Sequence, residues 1–192
     1  MSRSIFEKDI LPAVQWFSLL LLGTIVVDFA LHQMGMVWIG RYLGIPGVLL
    51  IIVSFLYSLR RRKIITISTP KFTLLLHEYL SWFGSLLVLI HSGIHFNGII
   101  PWAATLFMVV VVASGLVGKY LLKKARETLK DKGEQKRKEG LTDEEIEREL
   151  FFDSLTVKTM QEWRTIHKPI TMVFGILTFF HIFTILIFWR WN

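Results

Sequence analysis

The sequence predicts an all-α fold, an integral membrane helical bundle of about five transmembrane helices. Three observations predict it. The chain of 192 residues is 53% hydrophobic with a mean hydropathy of +0.50, more apolar than one soluble core of this size needs. Its apolar residues gather into five runs near the ~20 residues that cross a bilayer. Its charges are bunched between those runs rather than spread along them. There is no cysteine, so disulfides, thiolate catalysis, Cys-ligated zinc, iron–sulfur clusters and covalently attached c-type haem are excluded within this chain.

The expected spans are residues 11–31, 44–59, 72–94, 101–122 and 166–189 of a single membrane domain. The first is too long for a cleaved signal peptide, and no small-x-small site follows it. The second is short, starts with Pro46 near its first turn, and stops at Arg60-Arg61-Arg62-Lys63. If the N-terminus is cytoplasmic, the inner segments hold Arg3 and Lys8, five basic residues from Arg60 to Lys71, and thirteen from Lys119 to Lys168. That accounts for 20 of the 22 Lys and Arg and leaves only Arg41 and Arg190 outside. The bias predicts N-in, C-out topology in the cell inner membrane. It also explains the net charge of +7 without a nucleic-acid partner.

The cytoplasmic loop, 123–162, opens with a charged run to Gly140, read as a helix extension followed by a mobile linker. Thr142 and Glu145 then form a capping box. The helix it starts carries Ile146, Leu150, Phe151 and Leu155 at helical spacing and is expected to lie on the inner membrane surface.

The histidines carry the chemistry. His77 and His91 are fourteen residues apart on the third span, and His167 and His181 are fourteen apart on the fifth. At ~100° and ~1.5 Å per residue, each pair lies on nearly one face with ~21 Å between its members. Both spans run from inside to outside, so His77 is level with His167 and His91 with His181. One imidazole from each helix at two levels suits two stacked b-type haems (heme b), whose irons take two axial imidazoles each. Zinc would want three or four protein ligands. Histidine inside a membrane is costly and points to function. Gly84 and Gly175, near the middle of each interval, either let a porphyrin approach or pack helices together.

His95 follows His91 by four residues. It is expected to contact a propionate, relay protons or line an outer quinone pocket, with His32 either sharing that role or facing water; a third haem between them is a further arrangement. Propionate donors on the inner side are Arg60, Arg61, Arg62, Lys71, Arg164 and Lys168. On the outer side they are Arg41, Asn97, Trp102 and Arg190, and each is equally placed to act as a snorkelling anchor. Glu78 and Asp28 are the carboxylates that would carry quinone protons, or pair with nearby cations.

The runs "GRYLGIPGVLLIIVSFLYSLRRR", "LHEYLSWFGSLLVLIHSGIH" and "WRTIHKPITMVFGILTFFH" resemble the ferric-reductase-like transmembrane domain, over roughly Gly40 to Trp189. That family includes iron reductases, NADPH oxidases and the haem-binding subunit serving a periplasmic methionine sulfoxide reductase. More loosely, the chain is similar to quinol-oxidising cytochrome b subunits. The resemblance implies His77, His91, His167 and His181 as iron ligands of a two-haem bundle. It departs from the reductases in having no sixth span and no Gly-rich dinucleotide fingerprint, so direct NAD(P)H oxidation is not expected. The expected function is electron transfer between a quinol or other donor and a redox partner protein: a multihaem cytochrome, a molybdenum enzyme or a flavoprotein. Two alternatives stand beside it: a stand-alone, outward-facing ferric or oxygen reductase, and a structural haem-binding anchor.

Overall fold

The computed structural model describes residues 11–66, 69–94, 98–118 and 122–188, and every element in it is a helix. In chain order these are α1 (Leu11–Gln33), α2 (Val37–Ser54), α3 (Leu56–Arg61), α4 (Pro70–Ile94), α5 (Ile99–Leu116), α6 (Leu122–Lys138), α7 (Asp143–Glu149) and α8 (Phe151–Phe188). Five stretches are long and apolar enough to cross a membrane: Leu11–Gln33, Val37–Arg61, Lys71–Gly93, Ile99–Leu116 and Thr165–Phe188. The protein is therefore an all-α, multi-pass membrane bundle. Large apolar side chains such as Leu22, Ile25, Phe29, Phe179 and Phe183 are exposed on these helices, as a lipid-facing surface requires.

The spans shift by a few residues from the expected bounds, the fourth to Ile99–Leu116, and two differences have plain physical reasons. The second span starts at Val37, seven residues before Gly44, so Pro46 lies inside α2 rather than in its first turn. Proline is tolerated there because neighbouring helices can satisfy the freed backbone in a membrane bundle. In the loop, the charged run is helical as α6, and the apolar positions beyond Thr142 divide at Leu150. Ile146 belongs to α7, whereas Phe151 and Leu155 belong to α8, which continues without a break into the fifth span. The capping box at Thr142 is formed, with Thr142 Oγ1 accepting from the Glu145 amide and Glu145 Oε2 accepting from the Thr142 amide at 2.8 Å. Thr69 caps α4 in a similar way, ahead of Pro70 at the first helical position.

The helices fall into two compact units. One comprises residues 18–112 and 171–192; the other comprises 1–17 and 113–170. The core of the first is Leu20, Leu89, Met108 and Phe174, one buried residue from each of α1, α4, α5 and α8. Within it α2 and α4 touch backbone to backbone. A Cβ on Gly84 would come within 2.8 Å of the Gly47 carbonyl oxygen, and one on Gly47 within 3.0 Å of the Gly84 oxygen. Gly84 is thus a helix-packing glycine, the small-residue contact of membrane bundles. A Cβ on Gly175 would meet nothing within 4 Å.

In the other unit, α6 lies antiparallel to α7 and the start of α8. Lys132 pairs with Asp153 at 2.5 Å, Lys136 with Glu149, and Arg137 with Asp143 at 2.7 Å. Leu150 and Val157 are buried apolar residues of this unit.

Candidate functional site: the histidines and their partners

His91 and His181 come together. Their ring centroids are 6.4 Å apart with the ring planes inclined at 52°. An iron with one imidazole on each face needs roughly 2 Å for each metal–nitrogen bond and roughly 1 Å from each nitrogen to its ring centre, so roughly 6 Å in all. The observed separation matches that requirement. Among the described residues, no group of three or more His, Cys, Asp or Glu converges on one point. Two imidazoles alone suit a metal that brings its own equatorial ligands, which is what a porphyrin does.

The other nitrogen of each ring tells more. His91 Nδ1 donates to the Gly40 carbonyl of α2 at 3.3 Å. His77 Nδ1 donates to the Ser54 carbonyl at 3.1 Å. His167 Nδ1 meets Ser114 Oγ of α5 at 2.5 Å. A neutral imidazole has one N–H, so placing it on Nδ1 toward a carbonyl leaves the Nε2 lone pair of His77 and His91 for a metal. An anchored Nδ1 also fixes the ring's orientation, the usual outer partner of a metal-bound histidine.

Small residues make room for these rings. A Cβ on Gly44 would lie 2.8 to 3.0 Å from three atoms of the His91 ring, so only glycine fits beneath it. Gly115 sits beside His167, its Cβ position 3.7 Å from the ring. Around His77, Ser81 Oγ donates to Ser54 Oγ at 3.1 Å, Ser54 Oγ donates to the Ile51 carbonyl at 2.6 Å, and Tyr57 stacks on the imidazole at 5.5 Å. Ser54 and Ser114 are fully buried. Sequence reasoning missed Gly40, Gly44, Ser54 and Ser114; their one signal was a small or polar residue inside an otherwise apolar run.

His77 and His167 belong to different units, and their pairing is part of the proposal below. His95, Asn97 and Arg190 lie outside the described residues, as does the side chain of Arg164. Arg41 is exposed on α2 and follows Gly40, the partner of His91. Asp28, His32, Thr24 and Phe29 of α1 line a second pocket with Gly93 of α4. There His32 Nδ1 donates to the Asp28 carbonyl at 2.8 Å, and the Asp28 carboxylate approaches the Cβ position of Gly93 to 3.3 Å.

No protein-family model matches the chain, and no curated protein and no solved structure matches it either.

Proposed function

We propose that the protein is a di-haem b-type cytochrome subunit that carries electrons across the cell inner membrane between a quinol or other donor and a partner redox protein. The observation that carries this reading is the 6.4 Å separation of His91 and His181, with the Nδ1 of His91 anchored on Gly40. His77 and His167 repeat the anchoring on Ser54 and Ser114 fourteen residues earlier in each helix, and would hold the second haem. Bound haem supplies one-electron chemistry. The chain's own part would be to hold the haems on the neutral imidazoles of His77, His91, His167 and His181 and to orient the His77, His91 and His167 rings through Nδ1.

A quinol donor is favoured over a soluble one by the pocket beside Gly93. Quinol oxidation releases two protons with two electrons, and Asp28 and His32 can take up protons there, two residues along α4 from His91. The orientation follows the charge bias, with the N-terminus cytoplasmic and the C-terminus outside.

The test is the colour and haem content of the purified protein. Expression with ample haem should give a b-type reduced-minus-oxidised spectrum and two haems per chain. His91→Ala and His181→Ala should each remove the same single haem. A colourless protein, or variants that lose different haems, would overturn the reading. Reduction by a soluble quinol analogue, weakened by Asp28→Asn, tests the donor.

A further inference from the structure

The turn after α3 holds a different pocket, lined by Tyr57, Arg60, Arg61, Lys63 and Thr73. Three of these five are cationic and none is acidic. Positive charge at this turn follows from topology, but the backbone beneath it does not. Among the described residues, three helix ends are closed by the same paired bonds. Gly35 donates to the His32 carbonyl while Met36 donates to Leu31; Gly140 donates to Arg137 while Leu141 donates to Lys136; Lys63 donates to Arg60 while Ile64 donates to Leu59. This motif puts its penultimate residue in the left-handed region, where glycine is strongly preferred. Gly35 and Gly140 have φ of 67° and 89°. The third cap has φ of 59° but carries Lys63, the one described non-glycine residue with positive φ.

A lysine that strains its backbone where glycine serves twice elsewhere is explained by its side chain, and that side chain lines the pocket. We propose that this pocket binds a phosphate group. Lys63 supplies a compact ammonium and Arg61 a planar fork, the two cationic shapes suited to phosphate oxygens. Arg60 keeps one Nη1 on the Ile65 carbonyl at 3.5 Å, which shapes the turn around the pocket. Tyr57 closes the wall between the pocket and His77. Phosphate at this place comes from an anionic lipid headgroup or from a soluble phosphate compound, since a basic pocket between helices at the inner surface recognises either.

The variants Lys63→Gly and Arg61→Gln test the proposal. Lys63→Gly relieves the left-handed strain, so it should keep or raise the melting temperature while removing the charge. Full-length protein in mild detergent should retain phospholipid from vesicles containing phosphatidylglycerol and little from pure phosphatidylcholine. Each variant should lower that retention roughly tenfold. Titration with inorganic phosphate, followed by 31P NMR, separates the sources: binding there too assigns a soluble phosphate, and binding to vesicles alone assigns a lipid. If Lys63→Gly and Arg61→Gln leave both kinds of binding unchanged, or if neither probe binds the parent protein, the proposal falls. Should Arg61→Gln release haem instead of phosphate, the pocket serves propionates and the proposal likewise falls.

Discussion

A half-buried imidazole that ligates through Nε2 depends on what holds Nδ1, and here the holders are uneven. Gly40 and Ser54 offer backbone carbonyls, which no substitution removes, whereas Ser114 offers a side chain. Ser114→Ala should therefore remove that hold on the His167 ring while leaving its ligating nitrogen intact. The haem proposed at His167 should then bind roughly ten- to a hundredfold more weakly, with the other haem unchanged. Haem retention during dilution reads this directly, and Ser114→Thr should restore it. Gly44→Ala acts by displacement instead. A methyl group less than 3 Å from the His91 ring must push it aside, so the haem proposed between His91 and His181 should be lost or its spectrum altered. If both variants keep two tightly held haems with parent spectra, these rings are not the ligands.

At the scale of elements, α2 and α4 are joined where side chains are absent. Gly84→Ala places a methyl group against the Gly47 carbonyl and Ile51, backbone that cannot easily give. It should destabilise the bundle by about 1–3 kcal/mol. Gly23→Ala, whose methyl group would meet Leu86 at an ordinary 3.7 Å, should shift stability by less than about 0.5 kcal/mol. Thermal unfolding in detergent compares the two. The α6–α8 hairpin is held differently, by exposed and half-buried ion pairs. Hydrogen bonds from Thr142 hold the Glu145 carboxyl below its ordinary 4.5, so their contribution is complete above that value and is lost as the pH falls through the lowered one. Glu149 raises Lys136, so that pair contributes fully below the ordinary lysine value of 10.5 and is lost as the pH rises through the raised one; Asp143 raises Arg137, which stays charged throughout. The start of α7 should be best ordered above about pH 5, and its end, held by Lys136, below about pH 10. Thr142→Ala should speed exchange of the Glu145 amide roughly fivefold at neutral pH, and much less at pH 3.

For the whole molecule, the features legible in the sequence were those set by local periodicity. Twenty-residue apolar runs mark the spans, and a fourteen-residue interval marks two histidines on one face. The anchors of those histidines were not legible, because Gly40 meets His91 across fifty-one residues and Ser114 meets His167 across fifty-three, through helix crossings that no local pattern encodes. The helix expected at the start of the charged run is there, but its later part is helical too and not a mobile linker, because the ion-pair partners of α6 lie on α7 and α8. Orientation rests on charge alone, and the absence of cysteine makes it directly measurable. Gln33 ends α1 and Glu139 follows α6, both exposed. In intact cells with a permeable outer envelope, Gln33→Cys should react with a membrane-impermeant maleimide, and Glu139→Cys should react only after the membrane is opened. The reverse pattern would place twenty basic residues outside, against the charge bias. It would also turn the basic pocket at Lys63 away from the cytoplasmic leaflet, while leaving the His91–His181 pair intact, because that pair depends on packing within the bundle and not on which side the bundle faces.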